Sequence, residues 1–314
     1  MAEHVNVDNF ARAETSRMFA AIAGQAGGTG QWLHNRTPTP LDNQPVIRQN
    51  RDTLYSTVLV DASQGATLTI PDPGDRYLSV MVVTEDHFIP VVLHDPGEHL
   101  LQADDLGSRY VLLAARILVD PDDEADVAAV NALQDGFALE AASAEPYEPP
   151  EWDEASLAET RQALLTLARG IGGFAGAFGA RDEVDPVHHL IGTAAGWGGL
   201  PTSEAFYVNV DPRLPVGEYA LTVDDVPVDA FWSVTIYNAD GYLEDAGGLV
   251  SVNSVTAERD PDGTVTVNFG GPDDGRPNRL GLMEGWNYIV RLYRPRPEVV
   301  DGSWTFPRAR PVDG

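Results

Sequence analysis

Two hydrophobic periods alternate along this chain, and the switches between them divide it into blocks. Residues 7–26 carry Phe10, Ala13, Met18, Phe19 and Ile22 on one side at helical spacing. Asp8 stands where an N-cap is expected, and Gly24, Gly27, Gly28 and Gly30 end the pattern. From residue 44 to 116 the period becomes two, with Pro, Gly and Asp between the runs. Strands are predicted at 51–60, 66–70, 77–84, 89–93 and 110–118, with a turn at Pro71-Asp-Pro-Gly-Asp75. Helical spacing returns at 120–136, 156–169 and 185–197, where Asp122, Asp123, Glu124 and Pro186 suit helix starts. The last third returns to strands at 207–210, 217–222, 230–237, 264–269 and 288–293.

Strands that follow one another through short turns, without a helix between them, pair antiparallel. The expected fold is therefore mainly β with connecting helices (α+β), built from two antiparallel jelly-roll-like β-sandwich domains. Residues 1–150 would hold the N-terminal helix and the first sandwich, 151–199 a helical joint, and 200–314 the second sandwich. Helices should occupy about a quarter of the chain.

Composition narrows the chemistry. The chain has 314 residues, 43% hydrophobic and 22% charged, enough for two soluble cores. A net charge of −28 argues against nucleic acid and anionic membrane as partners; salt adaptation is another source of that acidity. All 20 basic residues are arginine, which removes Schiff-base chemistry, and cysteine is absent. The start, Met-Ala-Glu-His-Val-Asn-Val-Asp, shows no basic region followed by an apolar core. No run approaches the roughly 18 apolar residues of a membrane span, so a cytoplasmic protein is expected.

Familiar catalytic motifs are missing: there is no Gly-x-Ser-x-Gly elbow, His-Glu-x-x-His helix or P-loop. Gly170-Ile-Gly-Gly-Phe-Ala175 matches a dinucleotide fingerprint in form but follows a predicted helix, so it reads as a helix end. The acidic run from Asp120 to Asp126 lacks the glycine and distal glutamate of a calcium loop. His94-Asp-Pro-Gly-Glu-His99 lacks cupin spacing and reads as an exposed turn. Neither a cofactor nor a metal is expected.

Three constellations remain. In the stretch 46–61, one face of a period-two reading carries Arg48, Asn50 and Asp52 before Leu54, Val58 and Val60, and the other carries Arg51, Thr53 and Tyr55. An unpaired buried charge costs several kcal/mol, so Arg48 and Asp52 should pair or lie at the rim of a pocket. An ion pair closing a sandwich and a ligand site both fit. In 230–237, Phe231, Ser233, Thr235 and Tyr237 share a face opposite Trp232, Val234 and Ile236. In 287–293, Asn287, Arg291 and Tyr293 lie opposite Tyr288, Val290 and Leu292. Such faces form a domain or homodimer interface, or a pocket for a small polar molecule in which arginine grips a carboxylate. Last, Glu85-Asp86-His87 ends an apolar strand, and histidine beside carboxylates makes an acid–base pair.

Longer motifs point to a family. They include Val46-Ile-Arg-Gln-Asn-Arg-Asp-Thr-Leu-Tyr-Ser56, Glu85-Asp-His87 and Arg116-Ile-Leu-Val-Asp120 in the first half. The second half has Asp185-Pro-Val-His-His-Leu-Ile-Gly192, Trp197-Gly-Gly, Pro227-Val-Asp-Ala-Phe-Trp-Ser-Val-Thr-Ile-Tyr-Asn238, Asp262-Gly-Thr-Val-Thr-Val267 and Gly285-Trp-Asn-Tyr-Ile-Val-Arg-Leu-Tyr-Arg-Pro295. With these the chain resembles bacterial proteins that pair the domains of unknown function 1254 and 1214. The resemblance implies two jelly-roll-like domains and brings no settled activity. Many such relatives carry a signal peptide and a cysteine pair before the Gly-Trp-Asn-Tyr strand; Pro272 and Arg279 stand near those places here.

Two functions follow as expectations. One is a cofactor-independent enzyme using acid–base chemistry on a small polar or anionic metabolite. Asp52, Asp86 and His87 would then be catalytic, while Arg48, Asn50, Arg51, Tyr55, Phe231, Thr235, Tyr237, Arg291 and Tyr293 would bind substrate. The other is a non-catalytic protein whose jelly rolls bind glycan or a partner chain.

Overall fold

The structure, a computed structural model, describes residues 2–44, 47–169, 171 and 173–312. It divides into two compact units. The first comprises residues 1–36, 54–118 and 124–202, and the second 37–53, 119–123 and 203–314.

The first unit opens with α1 (Phe10–Ala26), closed by Gly27 in the left-handed region. Asp8 is not its cap. Asn9 holds that position, and its side chain accepts the Asn6 N–H at 2.9 Å, so it braces the preceding loop and leaves the helix end uncapped. There follow β1 (Leu33–His34), β2 (Thr53–Asp61), β3 (Ala66–Ile70), β4 (Leu78–Thr84), β5 (Val91–Leu93), β6 (Gly97–Leu101), α2 (Ala103–Leu106), β7 (Tyr110–Leu118), α3 (Glu124–Asp135), β8 (Ala138–Ala141), α4 (Glu154–Ala168) and α5 (Pro186–Gly196). They make a five-stranded sheet in the order β1-β2-β7-β4-β5 and a three-stranded sheet β6-β3-β8. The central strands β4 and β7 are buried at every position and pair antiparallel, Val80 opposite Ala115 and Val82 opposite Leu113. Burial on both faces is why they read as continuous apolar runs.

Two strands here escape the periodicity. The His94–His99 stretch, expected to be an exposed turn, runs into β6, where His99 pairs opposite Leu68. Strand β8, also unpredicted, adds to the other edge of β3. Both are short and half-exposed (Leu100 faces solvent), so neither carries a legible apolar face. Their conformation comes from pairing with β3.

Helices α4 and α5, expected as a separate joint, belong to the first unit. Val5, Phe10, Ala13, Leu157, Leu164 and Ile191 form one apolar cluster that binds them to α1. Asp153 caps α4 by accepting the Ser156 N–H, and Asp185 caps α5 by accepting the N–H groups of Val187 and His188. The chain after α5 turns at Gly199, where a Cβ would collide with the ring of Phe178. Gly199→Ala is expected to cost about 1–3 kcal/mol by overpacking, read as a lower midpoint in thermal unfolding.

The second unit contains β9 (Ala205–Val210), β10 (Glu218–Val223), β11 (Trp232–Tyr237), β12 (Ser251–Asn253), β13 (Val265–Gly270), β14 (Arg279–Leu280), β15 (Asn287–Tyr293), α6 (Pro297–Val300) and β16 (Arg310–Pro311). Sheets β12-β11-β15-β9 and β14-β13-β10-β16 share one core. Val234, Ile236, Tyr288 and Val290 come from the first, and Leu221, Val267 and Phe269 from the second. Among the described residues these strands pair antiparallel except in the short β13–β14 contact. The chain is thus mainly β with connecting helices. Alternation sends Trp232, Val234 and Ile236 into the shared core, so the remaining side chains of β11 and β15 crowd the opposite face.

Candidate functional site

That opposite face of β11 and β15 is polar and completely buried. The register sets Ser233 opposite Arg291, Thr235 opposite Ile289 and Tyr237 opposite Asn287. Residues 48–52, in the same unit, supply the rest. Arg291 donates to Thr235 Oγ1 at 2.8 Å, to the Tyr237 hydroxyl at 2.6 Å and to the Arg48 carbonyl at 3.1 Å. Tyr237 in turn donates to the Gln49 carbonyl at 2.8 Å. Asn50 donates to the Tyr293 hydroxyl at 2.9 Å, and the Tyr293 ring stacks on Phe231 with centroids 4.2 Å apart.

Asp52 sits at the centre with 0% exposure. Ser233 Oγ donates to its Oδ2 at 2.5 Å, whereas Oδ1 is buried and has no hydrogen-bond partner. Gln49 Oε1 and Arg51 Nε are also buried without partners, so three such atoms fall within four consecutive residues. Each unmet buried group costs about 1–3 kcal/mol, and a native chain carries few of them. Arg51 has a distant ion pair, 3.8 Å from Asp122.

Arg48 and Asp52 do not pair with each other. Arg48 takes a left-handed φ of 59°, which breaks the strand alternation before β2 begins at Thr53. Its guanidinium hydrogen-bonds Asn287 Oδ1 and lies 5.1 Å from the Tyr237 ring centroid. Its N–H is accepted by the Gly241 carbonyl at 2.8 Å. Gly241 has φ +89°, and a Cβ there would press on Arg48 Nε at 3.3 Å.

Burial raises the pKa of Asp52, against the opposing pull of Arg291 and the Ser233 hydrogen bond. Burial alone would weaken the Arg291 cation, but Tyr237 and Asp52 more than offset it, so the guanidinium stays charged. Burial also raises Tyr237, which remains a neutral donor. The cluster therefore holds a carboxyl reluctant to ionise beside a fixed cation. Arg291→Gln should cost about 1–3 kcal/mol, because Thr235, Tyr237 and the Arg48 carbonyl lose their buried donor while Asp52 can take up a proton in place of the cation; urea unfolding measures it.

The residues Asp86 and His87 lie in the first unit and do not form an acid–base pair. Asp86 is held by Arg12 at 2.6 Å and Arg181 at 3.2 Å. Burial works to raise its pKa, but the two guanidiniums bring it below the usual carboxylate range. His87, at 0% exposure and with φ 64°, turns its ring inward between Trp197 and His189. Its Nε2 accepts the Gly198 N–H at 2.9 Å. Its Nδ1 lies 2.8 Å from Thr193 Oγ1, whose own proton goes to the His189 carbonyl, so Nδ1 carries the hydrogen. With both nitrogens engaged and burial pushing its pKa down to about 3, His87 is a neutral structural imidazole. Tyr55, also in the first unit, lies under the Arg116 guanidinium, 5.4 Å from the ring centroid. The Nδ1 of His94 faces the Leu78 carbonyl and the Nε2 of His99 the Asp95 carbonyl. No group of metal ligands occurs among the described residues.

Sequence parity placed Phe231, Thr235, Tyr237, Arg291 and Tyr293 on one face, and the register bears that placement out. It understated Ser233 and Asn287, the partners of Asp52 and Arg48. Their alternation with Thr235 and Arg291 was the available signal.

With this geometry in hand, comparison adds the family. A model described as a protein of unknown function, DUF1254, matches residues 29–88, and another, DUF1214, matches 214–297. The chain thus pairs the two, 1254 toward the N-terminus and 1214 toward the C-terminus. No curated protein matches it. The crystal structure of the VPA0106 protein from Vibrio parahaemolyticus is similar with a TM-score of 0.74 and 19% identity, over 98% of each chain. That of a putative uncharacterized protein from Burkholderia cenocepacia has a TM-score of 0.53 and 16% identity, over 95% of this chain and 86% of that one. Both likenesses concern the fold.

Proposed function

We propose, for a chain that joins the domains of unknown function 1254 and 1214, a cofactor-independent enzyme acting on a small polar or anionic metabolite, with Asp52 as the proton-transfer group. The observation that carries this reading is the Asp52 carboxyl, fully buried, with Oδ1 unpartnered and a fixed cation close by. A carboxyl whose pKa is raised by burial exchanges protons nearer neutral pH than an exposed one. Arg291 and Ser233 would steady the charge on Asp52, and Asn50, Arg48, Arg51 and Tyr293 would orient the substrate. Arg48, Gln49 and Asn50 are half-buried, so the segment bearing Asp52 has a solvent side. The cytoplasm is the compartment in this reading, supported by the absence of cysteine.

The second reading is a non-catalytic double jelly roll that binds glycan or a partner chain. Sugar platforms need exposed aromatic faces. Among the described residues, Tyr242 is the large aromatic that stands exposed. The geometry therefore favours the enzyme.

The test incubates the protein in D2O with a mixture of hydroxy acids, amino acids and sugars, followed by proton NMR. Loss of a C–H signal or a new product with the wild type, absent with Asp52→Asn, supports the enzyme. Turnover unchanged in Asp52→Asn overturns the role of Asp52, and saturable binding without turnover selects the second reading.

A further inference from the structure

Helix α5 turns two adjacent histidines toward the loop that precedes it, and each meets a carbonyl there. His188 Nδ1 lies 2.9 Å from the Ala175 carbonyl, and His189 Nδ1 lies 3.0 Å from the Ala177 carbonyl. His189 differs in its second nitrogen. Its Nε2 lies 3.1 Å from the Asp86 carbonyl, in the turn between β4 and β5. One ring thus joins three segments of the first unit: α5, the loop at residues 174–184 and the turn at residues 85–89.

Both partners of His189 are backbone carbonyls, which only accept. A neutral imidazole has one N–H and one lone pair, so it serves one carbonyl and turns the lone pair on the other. Only the imidazolium donates to both. The ring is 6% exposed, so a bond lost there is not readily made good by water. It also lies flat against Phe88, with centroids 4.7 Å apart and planes 8° apart, where an aromatic face favours a cation.

The charged groups around the ring come from several elements. His87, stacked 5.6 Å away, is kept neutral by burial. Asp86, against the effect of burial, is kept ionised by Arg12 and Arg181, and Glu85 pairs with Arg12. The Arg181 guanidinium lies over Phe88, 4.3 Å from the ring centroid. In the loop, Asp182 is exposed and Glu183 accepts the Ala180 N–H. At the start of α5 the N–H groups of His188 and Val187 hold the Asp185 carboxyl low. Helix α4 meets α5 through the apolar cluster at Leu190 and Ile191. His188 has one carbonyl to serve, which needs one N–H in either charge state.

We propose that His189 is a proton-operated latch: protonated, it ties the 174–184 loop and the 85–89 turn to α5 together, and loss of the proton releases one of the two ties. Its working range is the one in which histidine changes charge, between about pH 5 and 8. Two amides report on it. The Ile89 N–H bonds the Gly179 carbonyl at 2.8 Å, and the Asp185 N–H bonds the Gly176 carbonyl at 2.9 Å, so both lose protection when the loop loosens. The latch is independent of Asp52, which belongs to the second unit.

NMR of the full chain with nitrogen-labelled histidine, from about pH 5.5 to about 8.5, reads the ring, and hydrogen exchange of the Ile89 and Asp185 amides reads the loop. Both nitrogens of His189 should carry protons at the acid end, and one should have lost its proton at the basic end. Over the same range the protection factors of the two amides, corrected for the intrinsic rise of exchange with pH, should fall by about tenfold. In His189→Gln, which does not titrate, they should be low and independent of pH. His188→Gln should keep the wild-type fall. A His189 ring with one protonated nitrogen throughout, or wild-type protection that stays flat across the range, overturns the latch without need of a variant. So does a fall of wild-type size in folded His189→Gln, or its loss in folded His188→Gln.

Discussion

Replacing Asp52 with asparagine is expected to remove turnover and to leave the folded chain at neutral pH at least as stable as before. The catalytic loss should be about 10²–10⁴-fold, the usual contribution of a positioned general acid or base. The stability effect follows from the direction of the pKa shift. Burial raises the folded value above the ordinary 3.8, more than Arg291 and Ser233 lower it. A carboxyl shifted upward contributes stability that is fully present below its unfolded pKa and is lost as pH rises through its folded pKa. At pH 7 the ionised Asp52 is thus a net cost, which a neutral amide of the same shape removes. Arg291 keeps Thr235, Tyr237 and the Arg48 carbonyl. Thermal unfolding of both proteins from pH 4 to 8 measures this. A simple structural ion pair predicts the opposite, a loss of about 3–5 kcal/mol at pH 7. A midpoint several degrees lower at pH 7, with function intact, would end the site hypothesis.

Acid should destabilise the first unit through His87. The folded pKa is about 3, against an ordinary 6.5, because burial and the neighbouring His189 both disfavour the charged ring. A group depressed in this way contributes stability above its unfolded pKa that is lost as pH falls toward the folded value. The unfolded chain takes up a proton that the folded one refuses, so stability falls by about 1.4 kcal/mol per pH unit below 6.5. By pH 3 the loss approaches roughly 4–5 kcal/mol. Asp86, lowered by Arg12 and Arg181, adds its own loss only at more acid pH. Between about pH 6.5 and 4.5 His34, also lowered by burial, steepens the slope and Asp52, raised by burial, opposes it, so the share of His87 is read by replacing it. His87→Gln retains an acceptor for Gly198 and a donor for Thr193 without the titration. Urea unfolding should show the wild-type slope in that window reduced in the variant; identical slopes would assign the acid sensitivity elsewhere.

What could be read from the chain alone was local. Strand β7 was predicted at its observed bounds, and β3 likewise, because burial dictates side-chain type position by position. The parity of β11 and β15 separated an apolar from a polar face for the same reason: successive residues in a strand must point opposite ways. The start of α5 was legible in Asp185 and Pro186, where a side-chain acceptor and a preset φ act within one turn.

What only the tertiary structure decided was partnership. The charges of Arg48 and Asp52 looked like a pair because they are close in sequence, yet Asp52 meets Ser233 across 181 residues and Arg48 meets Asn287 across 239. The neutral state of His87 depends on Thr193 and Gly198, more than a hundred residues away. Glu14 gives no hint of its hydrogen bond from Arg161, 147 residues on. Strands β6 and β8 owe their conformation to β3, and α4 and α5 owe their place in the first unit to α1. Periodicity records whether a side chain is buried, since the transfer of each residue from water depends on that residue alone. The energy of a buried charge or an unmet hydrogen bond depends on a second group, and its identity is settled only when the chain folds.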